Sequence, residues 1–197
     1  MLSRTSTTLL AGLDDPRNEP AWRRFLDRYK PMLLSYAKRV GLSDADAQDV
    51  VADTLAAFVQ AYRAGKYDRQ RGRLKSWLGG IIRHSISKRR ARRTPASLDA
   101  GAEGGSHGSW EPAATGDADE AFDREWQLER LGEALALLRR ESDPNTYQAF
   151  DLYALKDWPV EKVASFLGMT PNAVYINKTR TLKRLREIVG RLVAEEE

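Results

Sequence analysis

The sequence predicts an all-α fold of two small helical domains joined by a flexible acidic linker, with domains at 1–93 and 122–197. Three observations predict it. On both sides of the linker, apolar residues recur at three- and four-residue steps, as in helices that bury one face. No segment alternates polar and apolar residues as a half-buried strand does. Residues 94–121 are rich in Gly, Ala, Ser and Pro, a composition typical of linkers.

Charge divides the chain into the same three parts. Residues 1–93 hold 20 Lys/Arg and 9 Asp/Glu, residues 94–121 hold none and 6, and residues 122–197 hold 12 and 13. The first block is therefore a candidate binder of polyanions. There is no cysteine, no cleavable leader pattern and no apolar run of about 20 residues. We therefore expect a cytoplasmic protein without disulfides or a membrane span.

Three helices are expected before the linker. The first carries an apolar stripe, and Pro31 is expected to kink or split it. The second begins at the cap Ser43, carries acidic residues in its first turn and ends at Gly65. The third runs from about Ser76 to Arg92. The stripe of the first helix comprises Trp22, Phe25, Leu26, Tyr29, Leu33, Tyr36 and Val40.

After the linker, helices are expected at 122–140 and, capped by Asp143, at 144–156. A short helix from Val160 to Leu167 then ends at Gly168, which can take a positive φ. Thr170 and Pro171 suit the cap and first position of the next helix. Two short helices joined by a glycine turn predict a helix-turn-helix whose second helix fits a DNA major groove.

Polar and basic residues lie on the outer face of this second helix. A solvated surface is the alternative to base and phosphate contacts for them. The basic residues Lys183, Arg184 and Arg186 suit phosphates better than bases. The candidate contacts are Thr170, Asn172, Ile176, Thr179, Arg180 and Lys183.

Basic and aromatic residues are mixed between Tyr67 and Arg93. Such a loop and helix can hold single-stranded DNA, because bases stack on rings while guanidinium groups bind phosphates. The alternative is a solvated basic helix end, and Trp77 is expected to pack in the core. The candidate contacts are Tyr67, Arg69, Arg71, Arg73, Arg83, Ser87 and Arg90.

An acidic face is expected on the second helix, formed by Asp46, Asp49, Asp53 and Gln60. It is either solvated or docks on a basic partner, and it is a poor candidate for a metal or acid-base site because no histidine is near. His84 and His107 are isolated, and no nucleophile set, zinc spacing or phosphate loop occurs. We therefore expect no enzyme activity, no metal and no cofactor.

Two segments of the chain resemble one family, the sigma-70 family of bacterial RNA polymerase sigma factors, in its extracytoplasmic-function (ECF) group. Residues 46–49, Asp-Ala-Gln-Asp, resemble the Asp-Ala-Glu-Asp of region 2, and Trp77-Leu78 matches its Trp-Leu, with His84 at the usual Asn. Residues 160–187 resemble region 4, with Lys178 and Thr181 as departures. The resemblance covers roughly residues 20–93 and 125–190.

The resemblance implies a promoter-specificity subunit of RNA polymerase. Region 2 would dock on the β′ clamp helices through the acidic face and would read and melt the minus-10 element. Region 4 would bind the β flap and read the minus-35 element. The partners would be core polymerase and promoter DNA, and an anti-sigma protein is left open. The alternatives are a stand-alone helix-turn-helix regulator and a helical adaptor without a DNA function.

Overall fold

A computed structural model describes residues 7–15, 17–68, 73–93 and 116–196. All regular elements in these ranges are helical, so the predicted all-α fold is confirmed. The chain divides into two compact units, of which one holds Thr7–Gln127 and the other holds the residues from 128 onward. Within the described ranges, no helix combines the length and the apolar character required to span a membrane.

The first unit contains four complete helices: α1 (Thr7–Leu13), α2 (Glu19–Arg39), α3 (Asp44–Arg63) and α4 (Leu74–Arg93). Ser43 caps α3 as predicted, because its hydroxyl accepts a hydrogen bond from the Asp46 N–H at 3.2 Å. Pro31 lies on the exposed side of α2, which continues through it to Arg39 without being split. The Tyr62 hydroxyl joins α3 to α1 by donating to the Leu10 carbonyl at 2.8 Å.

The core of the first unit is aromatic. Phe25 stacks on Phe58 with ring centroids 4.4 Å apart, and Phe58 contacts Trp77 at 5.0 Å. Burial of these rings fixes α3 against α2 and α4. Trp77 packs against this core, as expected.

A fifth helix, α5 (Gly116–Glu141), begins earlier than the sequence predicts. We had assigned residues 94–121 to the linker, with the second domain beginning at Phe122, whereas residues 116–127 of α5 pack into the first unit. Phe122 and Trp126 are the reason, since both rings are almost fully buried in that core. The rest of the predicted linker, including Trp110, lies outside the described residues.

The second unit contains the remainder of α5, α6 (Pro144–Phe150), a π-helical turn (Asp151–Leu155), α7 (Val160–Leu167) and α8 (Pro171–Glu196). The Asp143 side chain caps α6 by accepting from the Thr146 N–H at 3.0 Å, as predicted. We had expected one helix over 144–156, and the π-helical turn occupies its second half. Two apolar clusters hold these helices together, one around Leu138, Phe150 and Ile188 and the other around Val163 and Val174.

Candidate nucleic-acid interface

The helix-turn-helix in the second unit follows the predicted local geometry. Gly168 ends α7 with φ of 65°, in the left-handed region that favours glycine. The Thr170 hydroxyl then accepts a hydrogen bond from the Ala173 N–H at 3.2 Å and caps α8. Val174, buried on the inner side of α8, packs in the same cluster as Val163 of α7. The turn and the cap therefore fix how α8 is held against α7.

The structure places the predicted contact residues of α8 on one exposed strip. Relative to Asn172, the others follow at 4, 7, 8 and 11 residues, which is the spacing of one helix face. Every member of the set is exposed, and the Thr179 hydroxyl donates to the Tyr175 carbonyl at 3.1 Å. The strip comprises Asn172, Ile176, Thr179, Arg180 and Lys183, with Thr170 at its start.

One basic residue beside this strip, Arg184, already forms ion pairs within the second unit. We had grouped Arg184 with Lys183 and Arg186 as phosphate contacts. Instead, Arg184 donates to Glu141 of α5 at 2.8 Å and to Glu187 at 3.0 Å. Burial alone raises the pKa of Glu141, but hydrogen bonds and attraction from Arg184 and Arg191 lower it overall. Arg184 therefore holds α8 to α5, and Lys183 and Arg186 remain as candidates.

Exposed aromatic residues near α8 were missed by the sequence analysis. Tyr175 is 48% exposed and meets the Tyr153 ring edge-on at 5.6 Å, while the Lys178 ammonium lies 4.9 Å from the same ring. The adjacent Tyr153 hydroxyl raises the pKa of Tyr175. Phe166 of α7 is also exposed. Aromatic residues on the polar side of the helical pattern were the available signal for this surface.

The second candidate surface, on α4 and the loop before it, is only partly as predicted. Ser87 and Arg90 are exposed near the end of α4, and Arg73 is exposed just before its start. The Arg90 guanidinium donates to the Val40 carbonyl, which holds it beside the end of α2. Arg69 and Arg71 lie outside the described residues.

Tyr67 does not present a free ring. It is half-buried and stacks on Trp77 with centroids 4.8 Å apart, and on Tyr62 at 5.8 Å. Burial and the neighbouring Asp14 carboxylate raise the pKa of Tyr62. We had expected Tyr67 to be open for base stacking. Its ring instead packs against the aromatic core, where it contacts Tyr62 of α3 and Trp77 of α4.

Arg83 is less available for DNA contacts than we had expected. We had listed Arg83 among the residues available to contact phosphates. Its side chain is only 18% exposed, and its guanidinium lies 2.7 Å from the Asp119 carboxylate of α5. Lys75 lies on the same face of α4, and its ammonium group is 2.7 Å from the Asp123 carboxylate. We call residues 116–127 the acidic strap, since they carry five Asp/Glu and one Arg.

The predicted acidic face on α3 loses one of its four members. Asp46 is buried, because Arg89 of α4 covers it with Nη2 at 2.7 Å and the Ser43 hydroxyl donates to it at 2.7 Å. The bond to Asp46 is the main cause of the raised pKa of Arg89. Asp49 also accepts from Arg89, at 2.9 Å, yet remains exposed. Asp53 and Gln60 are exposed as expected.

Among the residues that the structure describes, no three His, Asp or Glu side chains are grouped to hold a metal ion. The exposed groups are instead cations, amides, hydroxyls and aromatic rings on helix faces. Such groups suit binding to nucleic acid and protein surfaces.

Comparison with known proteins gives one family match. Residues 25–95, which span most of α2 and all of α3 and α4, match the family model of sigma-70 region 2. A solved structure described as "Structure of CnrH in complex with the cytosolic domain of CnrY" is 20% identical to this chain. The alignment covers 93% of this chain and 96% of that chain, with a TM-score of 0.37. No curated protein matches the sequence.

The region 2 match lies within the first unit, which also contains α1 and the first part of α5. It begins at Phe25 in the middle of the aromatic core and ends just beyond α4. The residues that carried the resemblance in the sequence, 46–49 and Trp77-Leu78, fall inside it. The first unit of this chain thus contains a segment that matches sigma-70 region 2.

Proposed function

We propose that this protein is a sigma factor of the ECF group, which brings core RNA polymerase to promoters and opens the DNA there. The observation that carries this proposal is the region 2 match over α2–α4 in a chain that also holds a separate helix-turn-helix. A simple regulator needs the second feature alone.

Region 2 docks on the β′ clamp helices through the exposed part of the acidic face of α3, in this proposal. Asp49, Asp53 and Gln60 supply it, since Asp46 is covered by Arg89. Gln60 follows Asp53 by seven residues, which is close to a whole number of helical turns. The two side chains therefore share one side of α3. The prediction that this face is polymerase-binding thus depends on three residues instead of four.

The α4 surface holds the minus-10 element as single-stranded DNA. Arg73, Ser87 and Arg90 are exposed and are the described candidates for phosphate contacts. The ring of Tyr67 stacks on Trp77. For a DNA base to stack on Tyr67, this ring must first leave Trp77; if the ring stays, Tyr67 supports the loop from inside the unit. The first possibility requires a local rearrangement on DNA binding.

Region 4 reads the minus-35 element with α8 in the major groove and binds the β flap elsewhere. Asn172, Thr179 and Arg180 can hydrogen-bond to base edges, while Ile176 can contact a thymine methyl group. The Thr170 cap and Lys183 lie where phosphates flank the groove. Each good base contact is worth about 1–3 kcal/mol of discrimination.

A mobility-shift experiment with the full chain tests the proposal. A sigma factor should shift promoter-containing duplex strongly only when core polymerase is added, whereas a stand-alone regulator should bind its duplex site tightly alone. Promoter fragments are first selected with reconstituted holoenzyme. Tight, sequence-specific duplex binding without core, unchanged when core is added, would favour the regulator.

Asp53→Ala and Asp27→Ala form a matched pair for the polymerase contact, because both remove an exposed carboxylate from a helix of the first unit. Only Asp53 lies on the proposed docking face. We expect Asp53→Ala to weaken binding to core polymerase and Asp27→Ala to leave it unchanged. Equal effects from both variants would remove α3 from the proposed interface.

A further inference from the structure

The acidic strap covers the first part of the side of α4 that also carries Ser87 and Arg90, which the proposed function assigns to DNA. Along α4, Lys75, Gly79, Arg83, Ser87 and Arg90 follow one another at three- and four-residue steps and share one side of the helix. The strap lies on the first three of these positions. The last two remain exposed. This side of α4 is therefore covered by the acidic strap near the start of the helix and exposed near its end.

Two kinds of contact hold the strap. The apolar contact is deep: Phe122 meets Tyr36 edge-on at 5.2 Å, and Trp126 stacks on Tyr29 at 5.3 Å. Glu125 is also buried and accepts from Arg39 at 2.7 Å. These groups make the strap part of the folded unit.

The ionic contact along α4 is shallower. Asp119 and Asp123 keep 38% and 55% of their side-chain surface exposed, so water and ions reach both pairs. An exposed ion pair is worth little and is screened by salt, which makes it readily exchanged. Arg83 and Lys75 can therefore change partners while Phe122 and Trp126 stay buried.

We propose that the acidic strap is an intramolecular competitor of DNA on α4, with the Asp119 and Asp123 carboxylates standing where phosphates bind. Release of Arg83 and Lys75 lengthens the cationic strip from the end of α4 back to its first turn. This inference rests on the proposed use of α4 for single-stranded DNA. It adds that the free protein holds two of its cations away from nucleic acid.

The test compares two doubly substituted full-length chains. Asp119→Asn with Asp123→Asn removes both competing carboxylates. Asp117→Asn with Glu120→Gln removes the same charge from exposed positions of the same strap and serves as the control. Binding to a short mixed-sequence single-stranded DNA is followed by fluorescence anisotropy over a range of salt concentrations. Circular dichroism confirms that each chain keeps its helices.

We expect the first variant to bind more tightly than the control, with a steeper salt dependence. The log–log slope should increase by about 0.7 for each cation that gains a phosphate, which is roughly a fivefold change in affinity per tenfold change in salt. The increase should vanish when Arg83→Ala and Lys75→Ala are added, since the released cations are then absent.

The failures are distinguishable. Equal slopes for the two variants, or a gain that persists without Arg83 and Lys75, would overturn the competitor role while leaving DNA binding by α4 intact. Absence of DNA binding by wild type and both variants would remove the proposed DNA surface, and the competitor role with it. Loss of binding in a chain with Ser87→Ala and Arg90→Ala would show that the surface is the one assigned.

Discussion

The ring of Phe122 occupies the space that a side chain at Gly79 would fill. A Cβ atom built on Gly79 would lie 2.8 Å from Cε1 of Phe122, closer than real Cβ contacts allow. Gly79 is thus a glycine in the interior of α4 because a ring from α5 packs directly on its backbone. This contact joins the first part of α5 to the segment that matches sigma-70 region 2.

Gly79→Ala should therefore destabilise the first unit. Alanine favours a helix by about 1 kcal/mol over glycine, but overpacking a tight contact costs about 1–3 kcal/mol, and the second effect should dominate. Amide NMR signals of the first unit, recorded over a range of urea concentrations, measure the change in its stability.

Gly132→Ala and Gly190→Ala provide the control, since a Cβ at either helical position meets nothing within 4 Å. These changes should stabilise their own unit by up to about 1 kcal/mol. Adding Phe122→Leu to Gly79→Ala should recover part of the lost stability. A stabilising Gly79→Ala would contradict the packing of the acidic strap on α4.

Asp46 and Asp53 should separate stability from partner binding. Asp46→Ala removes the carboxylate that Arg89 and Ser43 bind, so the denaturation midpoint of the first unit should fall. Asp53→Ala is a surface change and should stay within about 0.5 kcal/mol of wild type. Urea unfolding of each variant beside wild type measures both effects. If Asp46→Ala is as stable as wild type, Asp46 is again a candidate for the polymerase-binding face.

Arg180 and Lys183 should differ in what their loss does to DNA recognition. Arg180→Ala should reduce discrimination at one base pair of the upstream element by about 1–3 kcal/mol. Lys183→Ala should weaken all sequences alike and reduce the log–log salt slope by about 0.9. Competition binding of holoenzyme to single-base variants of a selected promoter gives both quantities. Uniform loss from Arg180→Ala would assign it to the phosphates.

Glu141 should make the second unit sensitive to acid. Its pKa in the folded state is lowered from 4.5, so the stability it provides is complete above that value and is lost as the pH falls through the folded pKa. The difference in unfolding midpoint between wild type and Glu141→Gln should be largest above about pH 5 and should shrink below about pH 4. A difference independent of pH would mean that the carboxylate charge contributes nothing.

Signals local to the chain were sufficient for much of the fold. The caps at Ser43, Asp143 and Thr170 and the glycine turn at Gly168 follow from adjacent residues, because each depends on one backbone turn. The helical period likewise identified the face of α8 that carries Arg180. These features need no knowledge of what packs against them.

Contacts between distant segments were not predictable in the same way. A helical wheel puts Asp46 outside, but Arg89, 43 residues later, folds over it. The Gly, Ala and Asp of residues 116–121 resemble a linker, and the spacing of Phe122 and Trp126 was the only sign of a buried helix. Burial by a remote partner decided these cases, as it did for Tyr67 and Arg83.

Run-off transcription with purified core RNA polymerase and the full chain tests the central claim most directly. Over a set of bacterial DNA fragments, the account predicts discrete transcripts that require both proteins and that diminish with Arg180→Ala and with Asp53→Ala. Core polymerase that starts at the same places with and without the chain, on every fragment and at saturating amounts of it, would contradict the assignment as a sigma factor.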